Sequence, residues 1–97
     1  MAQIKIRFWK DIPVSVMVKG EQDKANVQLP PIYMETVDAV ATRSGETGSK
    51  EYVAGFRFEE SEQGGDVKEL AEQIAAELQR KYDKEWLKEK WRTAGED

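Results

Sequence analysis

Two residue types are missing from this chain of 97 residues: cysteine and histidine. Without cysteine there is no disulfide, no thiol nucleophile and no Cys-ligated metal. Without histidine the commonest general base and the commonest metal ligand are gone. A catalyst built here would rest on Asp, Glu, Lys, Tyr or Ser, and a domain this small offers little room for a closed pocket. A non-catalytic protein without cofactor or metal is expected. No apolar run approaches the roughly 18 residues of a membrane span. The opening stretch MAQIKIRFWK lacks the long apolar segment of a signal peptide. A cytoplasmic protein without membrane contact is therefore expected. A basic excess is lacking too. Lys and Arg number 15 against 19 Asp and Glu, for a net charge of −4, which argues against a general polyanion binder.

What is present is periodic. Hydrophobic residues make up 39% of the chain and fall in regular blocks, so a folded domain is expected and not a disordered tail. The length suits one domain with one core, over residues 1–94, with 95–97 frayed. Ile4, Ile6 and Phe8 alternate with Gln3, Lys5, Arg7 and Trp9. Val14, Val16 and Val18 alternate with Ser15, Met17 and Lys19, and Ala25, Val27 and Leu29 with Lys24, Asn26 and Gln28. Period two marks half-buried strands. Short links, Asp11–Pro13 and Gly20–Asp23, make the three strands an antiparallel meander.

Pro30-Pro31 ends the third strand and opens a helix, because Pro is tolerated in the first helical turn. Tyr33, Val37, Val40, Ala41 and Ser44 recur at helical spacing, and Gly45 suits a C-cap. Ser49–Ala54 reads equally as a short helix or the start of a strand. From about Gly55 onward a strand is favoured, and Glu59–Gly65 reads as a polar loop. Asp66-x-x-Glu69 resembles a capping box. Val67, Leu70, Ala71, Ile74 and Leu78 then form one apolar stripe, extended by Tyr82. Neither Gly nor Pro interrupts the chain from Asp66 to Ala94. A single helix there would run about 28 residues, or about 42 Å, longer than so small a core can cover. Its end should project, bend back or meet a partner. The expected fold is α+β: a small antiparallel sheet of three to four strands in the order βββαβα, packed by two helices, the C-terminal one long.

Two aromatic patches stand out as partner-binding candidates. Trp9 falls on the polar face of the first strand, beside Asp11, Ile12 and Pro13. An aromatic on a polar face can anchor an interface; alternatively the strand is covered on both faces and Trp9 packs under a loop. Trp86, Leu87 and Trp91 lie beyond the core stripe. The two tryptophans sit about 500° apart around a helix and do not share a face, whereas Leu87 and Trp91, four apart, form a patch suited to a partner or a second copy. The alternative is that this helix folds over the sheet edge. Other clusters point to blander roles. Glu59, Glu60, Glu62 and Asp66 lack calcium-loop spacing and read as a solvated acidic loop. Gly64-Gly65-Asp66 could offer amides to an anion, but its acidic surroundings disfavour phosphate. Lys10-Asp11 reads as a surface pair.

The motifs Trp9-Lys10-Asp11-Ile12-Pro13, Val18-Lys19-Gly20, and Val27-Gln28-Leu29-Pro30 with Tyr33, Val37-Asp38 and Ala41 together resemble one small bacterial domain family, the virulence factor family of the conserved virulence factor C type. Thr47-Gly48-Ser49 with Tyr52, and the Asp66–Tyr82 helix, also match. None of these motifs is catalytic. The chain departs from the family's pattern after Tyr52, where Gly55-Phe56 stands in place of an acidic–Trp pair. The resemblance implies a small accessory or protein-interaction domain. It also implies a place beside folate- and corrinoid-linked methyl transfer, with a methyltransferase or corrinoid protein as partner. A different reading is a ribbon-helix-helix-like DNA-binding dimer, with Lys24, Asn26 and Gln28 as the reading face. The acidic balance and the two strands before Lys24 argue against it, because a ribbon-helix-helix strand pairs with its dimer mate.

Overall fold

Four antiparallel strands form one sheet with helices packed against it in a computed structural model, which describes residues 1–43, 45 and 50–93. The elements are β1 (Ala2–Trp9), β2 (Ile12–Lys19), β3 (Lys24–Gln28), α1 (Pro31–Arg43), α2 (Lys50–Ala54), β4 (Phe56–Gln63), α3 (Val67–Lys81) and α4 (Lys84–Thr93). The fold is α+β, and the strand order across the sheet is β3-β2-β1-β4.

The alternation read from the sequence fixes the faces. Ile4 lies opposite Val18 and Ile6 opposite Val16, and Ala25 and Val27 continue this row on β3. The α3 stripe, with Val67, Leu70, Ala71 and Leu78 buried and Ile74 half-buried, joins the same core, as do Tyr33, Val37 and Ala41 of α1. The other face carries Gln3, Lys5, Arg7, Met17, Lys19, Lys24, Asn26 and Gln28, all exposed. Antiparallel sheets tolerate such one-sided solvation.

Two expectations are corrected. Glu59–Gly65 is not a loop throughout: Glu59–Gln63 is strand, paired with Ala2–Ile6 of β1. Five polar residues in a row give no apolar alternation, so only the long-range partner makes them a strand. The C-terminal segment is also not one long helix, because it breaks at Tyr82-Asp83. Tyr82 leaves helical geometry (φ −110, ψ 66), its carbonyl accepts the Tyr33 hydroxyl at 2.6 Å, and Asp83 Oδ1 caps α4 by accepting from the Trp86 amide at 3.0 Å. A buried tyrosine and an aspartate cap thus do what Gly or Pro usually does. The open segment Ser49–Ala54 resolves as helix over Lys50–Ala54. Gly45 takes the left-handed conformation (φ 72) expected after α1, its amide donating to the Thr42 carbonyl at 3.2 Å. Expectations on Ser44, Glu46–Ser49 and the C-terminal tail fall outside the described residues.

Candidate interaction surface

The two candidate patches meet at one corner, where the β1–β2 hairpin touches α2, α4 and the start of β4. The hairpin turn is Lys10-Asp11. Lys10 takes φ 55, the one non-glycine positive φ among the described residues. Its amide donates to the Gly55 carbonyl at 2.7 Å, and its carbonyl accepts from Arg57 Nε at 2.7 Å. Asp11 pairs with Lys90 of α4, and the Lys90 ammonium lies 5.1 Å from the Trp86 ring centre. The residues Trp9–Pro13 and Trp86–Trp91, 73 or more positions apart in sequence, are thus one neighbourhood.

Within it the candidate residues divide sharply. Trp9 (0% exposed) and Ile12 (1%) are sealed, and Pro13 and Leu87 are buried with them. These four present no side chain to a partner, which corrects the expectation that they are contact residues. Trp9 does lie on the polar face of β1, as its alternation says, but that face is closed here. Tyr52 of α2 packs on Trp9 with ring centres 5.9 Å apart, and Phe56 meets Tyr52 edge-on at 5.6 Å. The indole N–H donates to the Tyr52 carbonyl at 2.8 Å. A Cβ on Gly55 would stand 2.6 Å from Trp9 Nε1, so the backbone passes against the indole only because residue 55 is glycine. A register shift between Arg7 and Phe8 also reshapes this end of the hairpin. Val14 is left over opposite that step, as in a β-bulge.

Trp86, Trp91 and Asp11 remain accessible. Trp86 is half-buried, edge-on to Tyr82 at 4.6 Å, and Tyr82 reaches Phe8 at 6.4 Å. Trp91 is 41% exposed. Its indole N–H donates to Thr36 Oγ1 at 2.9 Å, Thr36 in turn donating to the Ile32 carbonyl at 2.7 Å. The Trp91 carbonyl accepts from Arg43 Nη1. Helix α4 is thus held to the core by Leu87 and tied to α1 at its end through Trp91, with part of Trp91 open to solvent.

A second accessible surface escaped the sequence reading. On the open face of the sheet, β4 places Phe56 and Phe58 beside Arg7 and Lys5. Phe58 is 57% exposed, with the Lys5 ammonium 5.9 Å from its ring centre; the Arg7 guanidinium lies 4.3 Å from that of Phe56. Met17 stands beside Lys5 on β2. The available signal was the spacing of Phe56 and Phe58 two apart, but nothing local showed which face of the sheet they join.

Two tyrosine hydroxyls at the joints have raised pKa values. Burial, then the charge of Asp83, raises that of Tyr33. Burial, then Asp38, whose carboxylate accepts the hydroxyl at 3.4 Å, raises that of Tyr52. Among the described residues no three His, Cys, Asp or Glu side chains gather closely enough to hold a metal, and no helix is long and apolar enough to cross a membrane. A cleft of about 510 Å³ lies at the opposite end, between the Gly20–Asp23 turn and Gly64–Val67.

No curated protein and no solved structure matches this chain. The virulence factor family model matches residues 7–89, from the end of β1 into α4, and the chain belongs to that family.

Proposed function

We propose that this domain is a non-catalytic accessory module that binds a partner protein through the α4 corner, with Trp91 as its anchor. The observation that carries this reading is an aromatic side chain held at both its backbone and its ring nitrogen, yet 41% exposed. Such a residue loses little conformational freedom on association and offers a large apolar surface, the profile of an interface anchor. Asp11 and the edge of Trp86 supply polar and aromatic contacts beside it. Trp9, Ile12, Pro13 and Leu87 serve as the scaffold that fixes the corner. The absence of cysteine and histidine supports the non-catalytic part of the proposal.

The resemblance to the virulence factor family supplies the partner class to try first: a methyltransferase or a corrinoid protein of folate-linked one-carbon metabolism. The test is calorimetric titration of this domain into such a purified protein, using the wild type and Trp91→Ala. Saturable binding weakened at least tenfold by Trp91→Ala, with the circular dichroism unchanged, supports the proposal. Binding unaffected by the substitution rejects the α4 corner as the contact. The DNA-binding alternative gains no support from the geometry, since β3 is the edge strand of a four-stranded sheet, beside β2, and not half of a two-stranded ribbon.

A further inference from the structure

We propose that two copies of this chain associate through the free edge of β3, joining their sheets into one of eight strands. This surface is independent of the α4 corner. The sheet has two edge strands, β3 and β4, and an edge strand carries backbone groups able to pair with another chain. The two edges are unequal. Along β4 stand Glu59, Glu60 and Glu62. A full-length antiparallel pairing of β4 with itself centred on Glu60 sets two carboxylates directly opposite each other, which is destabilising. Along β3 the sequence is Lys-Ala-Asn-Val-Gln, with no acidic residue.

The hydrogen-bond phase of β3 can be read from its end. The Leu29 amide donates to the Val14 carbonyl at 3.1 Å, in the same register that sets Gln28 opposite Ser15 and Val27 opposite Val16. Hydrogen-bonded and non-bonded pairs alternate along an antiparallel ladder. Leu29, Val27 and Ala25 therefore turn their backbone groups inward to β2, and Lys24, Asn26 and Gln28 turn theirs outward. A two-fold axis at Asn26 pairs Asn26 with itself and Lys24 with Gln28 of the second copy. Every outward donor then meets an outward acceptor, and no like charges face each other. On the core side the same axis sets Ala25 against Val27 of the second copy. Both are only partly buried in the single chain, and pairing would cover them. Beside this edge runs a cleft of about 400 Å³ lined by Ala25, Val27 and Val67. Its charged lining residues, Asp23 and Glu72 against Lys24 and Lys68, balance. A two-fold, self-complementary contact of this kind is the commonest form of homo-oligomer.

The test is sedimentation equilibrium of the chain over a wide concentration range, with Asn26→Pro and Asn26→Lys beside the wild type. Pro removes only an outward N–H, which an edge strand tolerates; Lys sets two ammonium groups across the axis. The wild type should reach twice the 11.1 kDa chain mass, and both variants should stay at the single mass with unchanged circular dichroism. Because the chain has no cysteine, Asn26→Cys offers a second readout. A hydrogen-bonded antiparallel pair holds its Cα atoms about 5.5 Å apart, within disulfide range. Under mild oxidation Asn26→Cys should cross-link readily and Glu60→Cys should not. A wild type that stays monomeric throughout overturns the proposal. So does a dimer that survives both substitutions, or equal cross-linking at residues 26 and 60.

Discussion

Trp9 and Trp91 occupy the same corner and each donates its indole N–H to another part of the chain, at 2.8 Å and 2.9 Å. Yet one is 0% exposed and the other 41%. Strand alternation assigns Trp9 to the polar face, and that assignment is correct. What it omits is α2, which delivers Tyr52 and Gly55 onto the indole. Helical spacing sets Trp91 with Leu87, and again the geometry agrees, but the pair is split in depth: Leu87 is the buried member and Trp91 the accessible one. The lesson of the comparison is that periodicity gives the face of an element. Burial depends on which distant element covers that face.

The strongest way to break the contrast is to remove the buried member. Trp9→Ala should cost about 3–5 kcal/mol, the usual range for deleting a large buried aromatic, measured by urea unfolding with no change expected in the slope. A cost under about 1 kcal/mol would place Trp9 outside the core. Next comes Gly55→Ala. Its Cβ would meet Trp9 Nε1 at 2.6 Å, so the indole must move and its hydrogen bond to Tyr52 must lengthen. A loss of about 1–3 kcal/mol is expected, as for an overpacked core. The double variant Trp9→Ala with Gly55→Ala should cost less than the sum of the two, because the clash disappears with the ring.

Much of this architecture was legible in the residues. Three alternating strands, the proline-led α1 and the α3 stripe all follow from period and punctuation, and their faces agree with the buried rows Ile4–Val18 and Leu70–Leu78. The missed features share a cause. β4 beyond Phe58 is strand because β1 pairs with it, not because Glu-Glu-Ser-Glu-Gln favours extension. The break between α3 and α4 depends on the Tyr33 hydroxyl from α1 meeting a carbonyl 49 positions away. Only Asp83, a good N-cap residue, marked that break locally. At the candidate surface, the two aromatic patches were legible only as separate stretches. Their meeting at one corner through Asp11 and Lys90, and the depth of Trp9, Ile12, Pro13 and Leu87, were not, since both are properties of tertiary cover.

Alkaline pH offers a subtler way to separate the two regions. Tyr52 belongs to the lid over Trp9, and Tyr33 holds the joint from which α4 starts. Both hydroxyls ionise at higher pH in the fold than in the unfolded chain. Above about pH 10, the ordinary tyrosine value, the unfolded chain therefore loses protons that the folded chain keeps. Stability is fully present below that pH and falls as pH rises through the folded values. Tyr33→Phe and Tyr52→Phe should each flatten part of this decline, as followed by urea midpoints between pH 8 and about 11. Because Tyr33 also loses its bond to the Tyr82 carbonyl, Tyr33→Phe should be about 1 kcal/mol less stable at neutral pH. A decline equally steep in both variants would show that other groups drive it.

The expected effect on stability is also small at Trp91, and that sets it apart from Trp9. Trp91→Ala removes one hydrogen bond to Thr36 and part of a half-exposed ring. Thr36 keeps its bond to the Ile32 carbonyl, so no buried donor is orphaned. The cost should be about 1 kcal/mol, well below that of Trp9→Ala. Trp91→Phe should recover most of the apolar contact without the N–H, and so lie between the wild type and the alanine variant. If Trp91→Ala instead unfolds the domain, Trp91 is a core residue like Trp9, and the α4 corner has no anchor to offer a partner. If stability barely changes while partner binding falls at least tenfold, the two tryptophans divide the corner's work. One then holds the hairpin in place, and the other spends its exposed flank on recognition.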